Sequence, residues 1–600
     1  MRATLAALGL MIALLVAQVL IWFPFMPNAF GRVSVDFSYW LPNLLAGYYW
    51  YLHNGVFSLP WFSPAECAGV PFHADPQYAF LSLPQFLTFV MPPLDAVRGT
   101  FLVFSAAGFW GAWHLARRTF ALGVPAALLA AGLFQLNDMF AVRMIVAHIS
   151  FAPFMLLPAL AATMLRPPGL APPAMSETVF RVVFGGVLIA VCILGGMVHL
   201  IAPVYLSLLA VFVIYALCHG PQPAALARLA GATLVGLALS AGKLTAGLSL
   251  LSNFPRTDYR LPGIEGVFST LYVALRALFT PASHGLTEIV AHSELLQEQH
   301  EFAYSVGVGA PLLMLAVAVP AVVMWWRRGR PALPRTQRNL AIALAAMLCV
   351  PVALNYYTPG WNALLKSLPI IGNSSTLLRW FAADILPAVL GAALALQYLA
   401  RRRAWLGLPL AGGVIALLLL GAAFGDHTDY SFARLGFYDP GELRTAWQIA
   451  HETGRPPPVR FVTKMAAPDG ELIMAPERQN GLVQGFSTLF CYQPIFGYRL
   501  EKYPFGKIRL DAAMAVRDGV RNFKNPACYV YPGANQCRPG DQFTEAQGDA
   551  LSRFLDYRAY PFKKPLYAIA ADWVGIFTAI MCVTLLGWVG WTARKKALLF

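Results

Sequence analysis

Residues 35–85, VDFSYWLPNLLAGYYWYLHNGVFSLPWFSPAECAGVPFHADPQYAFLSLPQ, decide how the rest of the chain is read. They follow directly on an apolar N-terminal segment, yet they form neither a charged linker nor an ordinary loop. Asp36 and Asp75 sit among Trp, Tyr and Pro residues, with His53 and His73 close by. Rings and prolines in this mixture suit the membrane–water boundary, where amphipathic aromatic side chains settle at headgroup level. Acids held at that level are candidates for chemistry on a lipid-borne substrate.

The surrounding chain fits that setting. Of 600 residues, 58% are hydrophobic and only 12% charged, against roughly a quarter charged in soluble proteins. Apolar runs of about twenty residues recur, the length needed to cross a bilayer. The expected spans lie near 5–27, 98–116, 119–136, 148–165, 180–195, 199–218, 229–251, 304–326, 339–355, 380–400, 404–424 and 568–592. The first is longer than a signal-peptide core and lacks a small-x-small site, so it reads as a retained span.

The net charge of +15 does not point to nucleic acid, because topology accounts for it. Arg117 and Arg118, Arg166 and Arg181, Arg228, the run from Arg327 to Arg338, Arg401 to Arg403, and Arg594 to Lys596 all fall in alternate connections. Basic loops mark the cytoplasmic side, so both termini are expected there. The predicted fold is a polytopic α-helical membrane protein with about twelve spans over residues 1–424 and 568–600.

Three regions fall on the opposite side. Residues 28–97 contain YWLPNLLAGYYWYL and YAFLSLPQFLTFVM, too short or interrupted to span, and these are expected as interfacial or re-entrant helices. Residues 252–303 contain FSTLYVALRALF, another interfacial candidate. Residues 425–567 have ordinary composition with Gly/Pro punctuation and are expected as a small extracytoplasmic α+β domain. Within it, Cys528 and Cys537 close a short loop suited to a disulfide in an oxidising compartment. Cys192, Cys218, Cys349 and Cys582 lie in or beside spans and read as packing residues.

Asp36 is the leading catalytic candidate, with Asp75 second; the competing reading makes Asp36 a helix N-cap, since FSYWLPNL follows it. Two carboxylates can divide base and positioning work, or hold a divalent cation such as Mg or Mn. Lys243 stands inside a span, where a charge is costly and functional by default. Arg143, Arg256 and Arg379 stand near outer span ends, and a guanidinium can fork onto phosphate oxygens. Asp384, five residues after Arg379, is its obvious pairing rival. His73, His148, His199 and Glu301 are expected around a substrate cavity. His292, Glu298 and His300 have no strong metal-site spacing, and no metal ligand is assigned. No Walker A, GxGxxG, HExxH or GxSxG motif occurs.

A first span, a short step to an Asp and an aromatic first loop resemble the GT-C superfamily of membrane glycosyltransferases. The wording of residues 35–78, with VAHISFAPFMLLPAL and GGMVHL, is similar to bacterial YfhO-type members, over roughly residues 1–400. The resemblance implies a polyprenyl-phosphate-linked sugar donor, and an envelope glycan, lipid or protein acceptor on the extracytoplasmic face of the bacterial inner membrane. It also implies that Asp36 is the general base and that Lys243, Arg256, Arg379 and Arg143 meet the donor phosphate. Many members carry adjacent paired acids in this loop. Here Val35 and Phe37 flank Asp36, and Asp75 is distant. A transporter or flippase of a lipid-linked sugar is the rival reading, expected to show broken helices paired across two halves. A non-catalytic envelope assembly protein is the third.

Overall fold

The computed structural model describes residues 1–254, 260–281, 284–292, 298–329, 333–372, 374–425, 438–463, 480–489 and 508–598. Among these, nine helices are long and apolar enough to cross a membrane, and ten if one bent pair counts as a span. The chain is a multi-pass membrane protein. Three of the twelve expected spans do not meet that length and hydropathy, each for a local reason. The helix Pro93–His114 has the length, but Asp95, Arg98 and its Gly and Trp residues lower its hydropathy. The segment Ile149–Met164 is a shorter apolar helix; its first half winds as a 3-10 helix around Pro153. The expected seventh span is broken at Ser240 into Pro223–Leu239 and Ala241–Asn253, bent by 70°. Ser and Gly residues at 240–242 permit such a break. Gly242 also lets the last helix approach closely, since a Cβ there would meet Asp572 Oδ1 at 2.5 Å.

Polar side chains fasten the bundle. Gln18 in the helix Arg2–Trp22 donates to the Gln135 carbonyl at 3.0 Å, and Gln135 returns a bond to Gln18 Oε1 at 3.1 Å. Ser105 also donates to Gln18 Oε1, which ties Pro93–His114 to the same pair. Buried polar groups have no water to fall back on, so this triangle fixes three helices in register. On the side expected to be cytoplasmic, Arg166 and Arg181 both pair with Glu177, at 3.0 and 2.9 Å. Arg228 donates to the Met164 carbonyl at 2.7 Å. Basic residues assigned to one face from charge pattern therefore meet around one turn. Cys192 and Cys582 are buried, whereas Cys218 and Cys349 are exposed and do not serve as core packing.

The first long loop departs most from expectation. Its helix Phe37–Asn54 has 18 residues, and every residue from Phe37 to Tyr51 is buried. It is enclosed by protein and presents no apolar face of its own to a membrane surface along these residues. The expected second loop helix shrinks to Leu83–Leu87. What buries the first is the region after residue 438. Helix Gly441–Thr453 lies against it, with Tyr48 Oη bonded to His451 Nδ1 at 2.8 Å and Trp447 donating to the Thr88 carbonyl at 2.8 Å. Asn54 donates to the Tyr557 carbonyl at 2.7 Å, and Val33 forms a bridge with Tyr438. One buried apolar cluster accordingly includes Ala7 of the first span, Tyr49 of the loop helix and Phe554.

Short strands complete this layer. Phe62–Ser63 pairs antiparallel with Val70–Pro71, Phe461–Thr463 runs parallel to Phe486–Thr488, and Val520–Lys524 is flanked by Val516–Arg517 and Gln542–Thr544. Cys528 and Cys537 form the expected disulfide, and Cys67 is disulfide-bonded as well. In the second long loop, Val267–Phe279 is helical, as FSTLYVALRALF suggests. It exposes Phe268, Leu271, Tyr272 and Leu275, an apolar stripe suited to a membrane interface.

Candidate active site

Asp36 immediately precedes the helix Phe37–Asn54, but its side chain makes no capping bond. The carboxylate turns instead to a histidine far along the chain: Oδ2 lies 3.2 Å from His148 Nε2, with the Asp36 side chain 31% exposed. His148 is aimed by the turn before the 3-10 helix Ile149–Leu156. Ala147 adopts φ +69° there, left-handed backbone that a non-glycine residue avoids unless its surroundings impose it. The His148 N–H also bonds the Arg143 carbonyl at 2.7 Å.

Arg143 settles the chemistry of that ring. Its Nη1 lies 2.9 Å from His148 Nδ1. A guanidinium only donates, so Nδ1 accepts, the neutral imidazole carries its proton on Nε2, and that N–H donates to Asp36. Arg143 is completely buried. Its Nη1 and Nη2 also donate to Glu301 Oε1 and Oε2 at 3.1 and 2.7 Å. From the other side, Arg379 Nη2 and Nε reach Glu301 Oε1 and Oε2 at 2.7 and 3.3 Å. Burial alone would disfavour the charged carboxylate, but Arg143 and Arg379 override it and hold Glu301 well below the usual range. Both guanidinium groups lie over the Phe151 ring, at 5.0 and 5.4 Å. Arg379, which lies in the 3-10 turn Leu378–Phe381, thus pairs with Glu301 rather than with its rival partner Asp384.

Arg379 also lines a cavity of about 610 Å³. Lys243, His199, Gln77, Ser374 and Thr376 share its polar lining, while Ile193, Leu244, Leu251 and Trp380 contribute apolar wall. Among the described residues Arg379 Nη1 has no hydrogen-bond partner. Lys243 Nζ donates to the carbonyls of Asp75 and Tyr78 at 2.9 and 2.7 Å, joining the second half of the broken helix to the first loop. His199 is bonded to Gln77 through Nε2. Gly196 allows that approach: its φ is +81°, and a Cβ there would overlap the Gln77 carbonyl.

The predicted residues thus fall into two connected groups. Asp36, His148, Arg143, Glu301 and Arg379 form one continuous chain of polar contacts, and Lys243 and His199 join Arg379 around the cavity. Asp36 does not line that cavity. Asp75 and His73 lie behind the lining and are buried. Burial raises Asp75 to about 7, against the Gln77 N–H and the nearby Lys243 charge. Burial, with Lys243 and Lys564, lowers His73 to about 3; its ring packs on Trp61 at 4.9 Å. Arg256 lies outside the described residues. Gln77 and Phe151 were not singled out from sequence, although each is within three residues of a predicted histidine or acid.

The donor set does not fit a divalent cation. Asp36 faces a histidine N–H, and Asp75 accepts the Gln77 N–H at 2.8 Å beside an ammonium group. His292 pairs with Glu265, and His300 with Glu298. Among the described residues no three His, Cys, Asp or Glu side chains converge.

No family model matches the chain, and no curated protein matches it either. It is similar to the solved arabinofuranosyltransferase AftD from Mycobacteria, with TM-score 0.39 and 16% identity over 76% of this chain and 29% of that one. It is also similar to the Archaeoglobus fulgidus oligosaccharyltransferase in its apo form, with TM-score 0.36 and 13% identity over 71% of this chain and 56% of that one. The same archaeal enzyme tethered to an acceptor peptide gives TM-score 0.32 and 14% identity over 71% and 55%. The chain therefore spans less than two thirds of each. By name these are glycosyl-transferring enzymes, the class that the first-loop wording resembles.

Proposed function

We propose that the chain is a GT-C-type glycosyltransferase of the bacterial inner membrane, with both termini cytoplasmic. In this reading it moves a sugar from a polyprenyl-phosphate-linked donor to an envelope acceptor on the extracytoplasmic face. The observation that carries the reading is one unbroken chain of contacts. It begins at a part-exposed carboxylate oriented by a neutral histidine and ends at a guanidinium in a cavity with polar and apolar walls.

An alkyl hydroxyl is a weak nucleophile and gains from a base within hydrogen-bond reach. In this reading the Asp36 carboxylate, held through Oδ2 by His148, takes the acceptor proton. As that O–H bond breaks, the acceptor oxygen bonds the anomeric carbon, and the bond from that carbon to phosphate oxygen breaks. The polyprenyl phosphate leaves with the electron pair. Arg379 Nη1 and the Lys243 ammonium supply positive charge for the departing phosphate, and the apolar wall receives the first isoprenoid units. Arg143 has no such role, since it is completely buried and both its Nη atoms are engaged by Glu301 and His148. Helix Gly441–Thr453 and the Tyr557 carbonyl brace the helix that Asp36 precedes.

The test is transfer from polyprenyl-phosphate-linked sugars by membranes containing the native chain or Asp36→Asn, at matched expression. The expected loss is about 10²–10⁴-fold, the range of a general base. Transfer by the native chain with full activity in Asp36→Asn would remove Asp36 from the mechanism. The transport reading gains one feature, the helix pair broken at Ser240. Movement of the labelled lipid between leaflets, without sugar transfer, would favour it.

A further inference from the structure

The Asp36 carboxylate has a property that its sequence surroundings do not supply: a fixed hydrogen-bond donor 112 residues away. We propose that His148 is the positioning residue of this site, holding Asp36 through a permanently protonated Nε2 whose tautomer Arg143 dictates. The catalytic part of this inference rests on the reading of Asp36 as base.

Each link follows from geometry. Arg143 Nη1 donates to Nδ1 at 2.9 Å and cannot accept, so Nδ1 holds no proton in the neutral ring. Arg143 cannot swing away, because it is buried completely and forked onto Glu301. Glu301 is fixed in turn by Arg379. The imidazole is further confined by the Phe151 ring, stacked at 5.5 Å, and the His300 ring, edge-on at 5.0 Å. The His148 side chain is 17% exposed. His148 therefore does not exchange its proton with substrate. It keeps Nε2–H on Asp36 Oδ2 and so fixes the carboxylate in place.

The arrangement also links the two ends of the site. Arg379 in the cavity and Asp36 outside it are joined through Glu301, Arg143 and His148, so the base is held by the same charges that hold the cavity guanidinium. A neutral group that accepts at one end and donates at the other should replace the imidazole. Glutamine offers this: its Oε1 can accept from Arg143 and its Nε2 can donate to Asp36. Alanine offers neither.

Two measurements on the full-length protein in nanodiscs test the proposal. The first needs no substrate. In ¹⁵N-histidine-labelled protein, the resonance pair absent from His148→Gln belongs to His148, and it should report a neutral ring protonated at Nε2 across pH 6 to 8. A ring protonated at Nδ1, or cationic at pH 7, overturns the proposal whatever the protein transfers. The second measures transfer from polyprenyl-phosphate-linked sugars. His148→Ala should lower kcat by about 10²-fold while donor KM changes less than about twofold, and His148→Gln should recover activity to within about fivefold of wild type. Equal loss in His148→Gln and His148→Ala would make the histidine a proton carrier and overturn positioning. Full activity in His148→Ala would overturn it too. If Asp36→Asn is fully active, the proposed function has failed instead, and the tautomer measurement alone decides how His148 is held.

Discussion

Glu301 is the hub of the charge chain, and Glu301→Gln is its sharpest perturbation. The side chain keeps its volume and one carbonyl oxygen but loses the charge that two guanidinium groups share. With charge centres about 4 Å apart, each pair is worth about 4 kcal/mol at an effective dielectric near 20. Removing both also exposes Arg143 and Arg379 to each other without a counter-ion. Relief of the carboxylate's own desolvation offsets part of this, and the expected net destabilisation is about 3–5 kcal/mol, as for a broken buried pair. Arg143→Gln should match it, because Arg143 is fully buried. Arg379→Gln should cost less, because its side chain is 17% exposed and faces the cavity. The assay is thermal unfolding of the purified chain by intrinsic tryptophan fluorescence. Because Glu301 is held well below the usual carboxylate range, its contribution is complete above the unfolded pKa and fades only as pH falls through the depressed folded value. The gap between wild type and Glu301→Gln should therefore stay constant from pH 6 to 8. A melting temperature within about 1 °C of wild type would refute the reasoning, since a loss of several kcal/mol must move it further.

Asp75 and His73 predict opposite pH dependences of stability. Asp75 rises to about 7 from an unfolded value near 3.9, so the native state holds an extra proton between these values and loses stability as pH rises through them. Asp75→Asn should remove that slope in pH-dependent melting. His73, lowered to about 3, destabilises as pH falls below about 6.5, and His73→Gln should abolish that second slope. Reduction of the disulfide Cys528–Cys537, with sequence separation 9, should remove about 2.5–3 kcal/mol by the loop-entropy relation. Cys528→Ser with Cys537→Ser, melted without reductant, checks that value.

Much of the bundle was legible because helix-forming signals are local. Twenty apolar residues announce a span wherever they occur, and the arginines between spans announce a side; Arg166, Arg181 and Arg228 do meet around one turn. The spacing of Cys528 and Cys537 was likewise enough for their bond. Asp36, Arg143, His148, Glu301 and Arg379 could be nominated because polar groups beside apolar spans are rare and conspicuous. Their relations could not be read. Sequence offers Arg379 a partner five residues on, Asp384, yet tertiary packing gives it Glu301; it gives Asp36 a donor 112 residues away instead of its own helix.

The same holds for burial. Composition describes the Phe37–Asn54 helix as aromatic and interrupted, which equally suits a membrane surface or a protein core. Only the docking of helix Gly441–Thr453 and the strands around it makes that helix a core element. The sequence by itself determined which stretches are helical and apolar, since backbone preference and hydropathy act over a few turns. Tertiary structure alone decided which charge faces which. The energy of a buried ion depends on the partner that packing delivers, and that partner is set by the arrangement of helices far apart in the chain.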